Sequence, residues 1–111
     1  MIPALDPATA IISRDKITGY LLSLSHPIGR YKAAFFATLG YSADAPESFE
    51  RDIAVLLKGE VSELDVTEFG RKFLSRGLPI GPNGRQAYTV AIWIILSGES
   101  APRLVTAYPE D

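Results

Sequence analysis

The sequence predicts an α+β fold, with N-terminal helices packed on a four-stranded antiparallel sheet. Three observations carry this expectation. Apolar residues recur at helical spacing through the first half of the chain and at a period of about two after Gly59. The later segments are separated by turns rich in glycine and proline. The 111 residues, 47% of them hydrophobic, suffice for one domain with one core. That single domain covers residues 1–111, with a helical part over about 12–59 and a sheet part over about 60–109. The order of helices followed by an antiparallel meander is a layered α+β arrangement.

Residues 1–10 hold two prolines and no periodicity, and read as an extended lead-in. Residues 14–24 fit a short helix. Ser13 stands at its cap, and Ile17, Tyr20, Leu21 and Leu24 fall at helical spacing, although Gly19 weakens the pattern. Ser25-His26-Pro27 breaks the period, because proline disfavours helical geometry in the residue before it. A second helix is expected over residues 29–39, with Phe35, Phe36 and Leu39 as its apolar stripe and Gly40 as its stop. A third begins at Pro46-Glu47 and carries Phe49, Ile53, Leu56 and Leu57 on one face, with Gly59 at its end. Four strands follow: residues 61–66 with a bulge, 72–76, 86–96 and 103–108. The third strand is apolar on both faces, with Val90, Ile92 and Ile94 on one and Ala91, Trp93 and Ile95 on the other. This marks a central strand. Gly81-Pro82-Asn83-Gly84 is a tight connection before it.

Composition excludes several function classes. Eleven Lys and Arg against thirteen Asp and Glu leave a net charge of −2, which rules out holding nucleic acid by bulk positive charge but not by a local patch. The absence of cysteine removes disulfides, thiol catalysis and thiolate metal sites. One histidine with no His/Asp/Glu cluster at ligand spacing does not make a metal site, and no cofactor is expected. No apolar run approaches the ~18 residues that span a bilayer. The start of the chain also lacks a signal-peptide pattern, so the expected location is cytoplasmic, away from membranes.

A few residues can carry chemistry. His26 is the side chain whose ordinary titration range suits proton transfer near neutrality. Lys32 follows six residues later, at the start of a helix whose free N–H groups favour phosphate. Arg85, directly after Asn83-Gly84, offers a planar fork for a phosphate. That loop lacks the glycine and lysine spacing of a nucleotide-binding P-loop. Thr106 and Tyr108 lie two apart on one strand face and present two hydroxyls. Tyr31, Tyr88 and Tyr108 are candidates for base stacking. The same residues also fit ordinary roles: a turn histidine, a solvated lysine, a strand connection and an edge strand.

Taken together, His26-Pro27-Ile28-Gly29, Lys32-Ala33, Phe35-Phe36, Gly81-Pro82-Asn83-Gly84-Arg85 and Thr106-Ala107-Tyr108-Pro109 resemble the landmarks of a bacterial domain family of unknown function. The likeness runs from about residue 12 to 109. That family in turn resembles the superfamily of small RNases and toxins that includes barnase, EndoU, colicin and RelE-type proteins. The resemblance implies a metal-independent, toxin-like endoribonuclease with His26, Lys32, Arg85, Thr106 and Tyr108 at its site. RNA would be its substrate, and a cognate antitoxin or immunity protein its partner. With a single histidine, a His–His mechanism of the EndoU kind is not available. The rival expectation is a non-catalytic protein-binding module, such as the antitoxin or immunity half of a pair, which an acidic chain suits. A remnant domain that keeps the fold without activity is a third.

Overall fold

The computed structural model describes residues 5–110. Residues 1–4 of the lead-in, and Asp111 of the acidic end, lie outside the described residues. The lead-in is not wholly extended. Pro7–Thr9 forms a 3-10 turn, because Asp6 Oδ1 accepts the Ala8 N–H at 2.9 Å and Pro7 fixes the first position. Ile11 then lies parallel to Arg103, accepting the Leu104 N–H at 2.9 Å, so the lead-in covers the outer edge of the last strand.

The helix expected over residues 14–24 divides. α1 (Arg14–Lys16) passes directly into a π-helical turn (Ile17–Leu21), closed by a Leu22 N–H to Ile17 C=O bond at 2.8 Å. Ser13 starts it with its carbonyl and makes no side-chain cap. Ile17 and Leu21 are buried and Gly19 is exposed. The apolar spacing holds, while the backbone widens by one residue per turn. α2 (Arg30–Thr38) and α3 (Pro46–Val55) follow, the latter tightening into a 3-10 turn at Leu56–Lys58. Gly40 after α2 has φ +93°, the left-handed conformation in which a helix commonly stops.

The sheet is a meander in the order β1-β2-β3-β4, formed by β1 (Glu60–Thr67), β2 (Gly70–Gly77), β3 (Thr89–Leu96) and β4 (Arg103–Pro109). All pairs are antiparallel. The expected bulge in the first strand lies between Glu63 and Asp65. A second, in β4, sets two residues against one at Val105. The third strand is shorter than its apolar run. Gln86 pairs instead with Ile80 to close the connecting loop, and Tyr88 is exposed.

Core residues lie between the helices and one face of β3 and β4. Ile17, Leu21, Phe36, Phe49, Ile53, Trp93, Ala91, Leu104 and Ala107 are all buried in one cluster. Phe36, Tyr41 and Phe49 meet edge-on, with Phe36 and Phe49 ring centres 4.8 Å apart. Each fully buried side chain of this size contributes ~1.5–3 kcal/mol by leaving water. Trp93 satisfies its indole N–H on the buried Ser75 hydroxyl at 2.8 Å. Among the described residues no helix is long and apolar enough to cross a membrane.

Candidate functional site

The turn at residues 23–29, the π-helical turn before it and the distant strand β4 converge at the start of α2. The first segment is the turn. Its His26 is half-buried, and its Nδ1 accepts the Ile28 and Gly29 N–H groups at 3.0 and 2.9 Å. The imidazole thus takes the N–H groups of Gly29, the N-cap of α2, and of Ile28 before it. With Nδ1 occupied as an acceptor, the neutral ring carries its proton on Nε2 and donates from there. Gly29 makes this turn possible. A Cβ at this position would strike the carbonyl and ring of Tyr20.

The second segment is the π-helical turn, which supplies Tyr20. Its ring stands edge-on to His26 with centres 5.0 Å apart. The Lys32 ammonium donates to the Tyr20 oxygen and lies 4.9 Å from the centre of its ring. That donor holds the Tyr20 phenol below its ordinary range, against the opposing effect of burial. The Thr106 hydroxyl and the positive charges of Lys32 and Lys16 add smaller effects in the same direction.

The third segment is β4. The bulge at Val105 leaves that residue's carbonyl at the strand edge, where Lys16 Nζ donates to it at 2.9 Å. Bulges re-aim the side chains beside them. Here the next residue, Thr106, meets Lys32, with Nζ donating to Oγ1 at 2.9 Å. One ammonium therefore ties together the π-helical turn, α2 and β4. Two of its three N–H bonds are taken among the described residues, leaving one for an anionic oxygen.

The structure brings His26, Lys32 and Thr106 into this network and leaves Arg85 and Tyr108 outside it. Arg85 is exposed, on a turn held to the other end of α2. Asn83 there donates its backbone N–H to the Leu39 carbonyl at 3.3 Å and its side-chain amide to the Thr38 carbonyl at 3.0 Å. A nine-residue α2 puts ~13 Å between that anchor and the His26 turn. Tyr108 pairs with Val90, one row along from Thr106 opposite Ile92, so the two hydroxyl residues share a face as expected. Tyr20 and Lys16 are the residues that sequence reasoning missed. Tyr20 falls at the spacing of an apolar stripe, and no local spacing links it to a lysine twelve residues on.

Chemically, the cluster offers a fixed ammonium, a hydroxyl, an imidazole N–H and a phenol of enhanced acidity. Ile28 and Tyr31 beside it are exposed, and Arg30 lies 4.8 Å from the Tyr31 ring centre. A cleft of about 470 Å³ borders the turn through Ser23, Leu24 and Ala33 but is not lined by Tyr20, His26, Lys32 or Thr106. Tyr20, His26, Lys32 and Thr106 are each half-buried, so the cluster lies partly at the surface.

No curated protein matches the chain. Among solved structures, the fold is similar to a chain of the contact-dependent growth inhibition toxin–immunity protein complex from Klebsiella pneumoniae 342. The TM-score is 0.71 at 17% identity, covering 96% of this chain and 97% of that one. At the sequence level residues 5–111 match a domain family described as of unknown function, DUF6883, and the chain belongs to that family.

Proposed function

We propose that the protein is a toxin-like endoribonuclease that lets the 2′-hydroxyl of RNA attack the adjacent phosphate, leaving a 2′,3′-cyclic phosphate and a 5′-hydroxyl. The observation that carries this reading is the Lys32 ammonium fixed between Tyr20 and Thr106 beside the His26 ring. Such a reaction needs positive charge and donors placed where the phosphoryl oxygens gain charge. Lys32 supplies the charge, Thr106 orients the phosphate, and His26 donates from Nε2. Arg85 and Tyr108 belong to the outer reach of the substrate path, touching nucleotides beyond the scissile one. The fold likeness to a chain of a toxin–immunity complex supports a role in such a pair, with a cognate immunity protein or antitoxin as partner.

Purified protein is expected to cleave RNA in the presence of EDTA and to leave DNA intact. Lys32→Ala and His26→Ala should each slow cleavage by roughly 10²–10³, the loss expected for one donor to developing charge. Cleavage that EDTA abolishes, or that both variants retain in full, would refute the reading. The complex also contains an immunity protein, and the acidic charge of this chain suits that role. Expression alone separates the two. A nuclease arrests growth and leaves fragmented RNA, whereas an immunity protein does neither.

A further inference from the structure

We infer that Tyr20 is the general base of this site, its phenolate taking the proton of the attacking 2′-hydroxyl while Lys32 remains a cation beside it. The inference rests on the nuclease reading and adds a catalytic residue to it.

Geometry leads to Tyr20 by two routes. His26 has its Nδ1 lone pair directed at two backbone N–H groups, so a proton accepted by the ring there would face two donors. Its free position, Nε2, already carries a hydrogen. The ring is therefore built to donate. Thr106 is an alcohol and Lys32 a cation with its bonds directed outward, so neither is a proton acceptor at neutral pH. Tyr20 is the remaining group of the cluster with an oxygen that can accept, and two partners from distant segments are arranged around that oxygen. Lys32 donates to it from α2, and Thr106, on β4, shares the same ammonium. Lys16 adds a second positive charge from the preceding turn of the same helical segment. These contacts favour the phenolate over the phenol, which is the condition for a tyrosine to act as a base closer to neutrality.

The step balances as follows. The phenolate takes the 2′-hydroxyl proton as the 2′-oxygen forms its bond to phosphorus. The phosphorus–5′-oxygen bond breaks, and the leaving oxygen takes a proton from water. The hydroxide so formed removes the proton from Tyr20, restoring the phenolate. Lys32 keeps its three hydrogens throughout and turns its unassigned N–H to a phosphoryl oxygen. His26 Nε2–H donates a hydrogen bond without transferring its proton.

Two measurements test this. In a near-ultraviolet difference titration of the wild-type protein, one tyrosine should ionise below the others. Tyr20→Phe should remove that step, and Lys32→Met should return it to the ordinary range near 10. This readout needs no RNA. In the second, the cleavage rate should rise with pH up to the same inflection. Lys32→Met should move the inflection upward, and Tyr20→Phe should slow cleavage by roughly 10²–10⁴. Global replacement of tyrosine by the more acidic fluorotyrosine should move the inflection down in the otherwise unaltered protein, which keeps the test available if Tyr20→Phe does not fold. Cleavage by the wild type with no early tyrosine step, or with folded Tyr20→Phe at near wild-type rate, overturns the role of Tyr20 and leaves the nuclease reading in place. An early step in a protein that never cleaves RNA overturns the nuclease reading, and the general-base role with it.

Discussion

Buried polar atoms show how closely single residues are specified. Trp93 and Ser75 are both fully buried, and the indole N–H has the Ser75 hydroxyl as its partner. Removing that hydroxyl strands a donor away from water, which costs about 1–3 kcal/mol. Ser75→Ala is expected to lower the stability measured by denaturant unfolding by that amount, with little change in the slope of the transition. Equal midpoints for the two proteins would show that the indole finds another partner. This pair was not legible in the sequence. Ser75 stands in a short strand of mixed character, and only the register that sets it opposite Ala91, two residues from Trp93 and on the same face, reveals its task. Tyr20 was hidden in the same way. Its spacing to Leu21 and Leu24 accounts for its helical position but carries no information about a cation brought in by another helix. Lys32 and Thr106 were legible as site candidates because each has a residue type that stands out in its own element.

At the level of elements, periodicity located the helices and strands, and it failed where two backbones satisfy one pattern. An apolar residue every three to four positions suits an α-helix, and it suits a helix that widens to a π turn just as well, so Ile17 and Leu21 gave no warning of the change. The β4 bulge was equally silent, since Thr106 and Tyr108 both follow it and keep their alternation. Glycines in these elements separate local propensity from tertiary fit. A Cβ at Gly19 would meet nothing, and this exposed glycine lies in a helical segment. Gly19→Ala should therefore raise stability by up to about 1 kcal/mol, because alanine loses less backbone freedom there. At Gly29 the same methyl collides with the backbone carbonyl of Tyr20. Gly29→Ala should lower the melting temperature, displace Tyr20 from Lys32 and reduce RNA cleavage. Thermal melts of the two variants side by side check both signs, and a Gly29→Ala protein as stable as wild type would mean that the π-helical turn yields without cost.

For the whole molecule, the net charge of −2 has to be reconciled with a polyanionic substrate. The distribution of ion pairs does this. Arg14, Arg51, Arg71, Arg76 and Arg103 each face a carboxylate within the fold, respectively Glu50, Asp52, Glu63, Glu110 and Glu99. Those cations are partly neutralised by intramolecular partners and are poor at attracting phosphate. The acidic Glu60, Glu63 and Asp65 lie on β1, at the far side of the sheet from β4. Around the candidate site stand Lys32, Lys16 and Arg30, each bound to carbonyl, hydroxyl or phenol oxygens and, among the described residues, not to a carboxylate. The substrate would thus be held by a few local charges and placed by hydrogen bonds, not gathered by a broad field. This has a measurable consequence in the salt dependence of binding. Four phosphate contacts to single-stranded RNA, from these three cations and the exposed Arg85, give a slope of log affinity against log salt of about −3, from ~0.7 counterions released per contact. Uncleavable 2′-O-methyl RNA and the wild-type protein should show that slope in fluorescence anisotropy across a range of KCl concentrations, and Lys32→Ala should make it shallower by ~0.7. A slope steeper than about −4 would require more phosphate contacts than these four cations can make. The paired arginines would then have to leave their carboxylates on binding, and the surface engaged by RNA would extend well past α2 and the Arg85 turn.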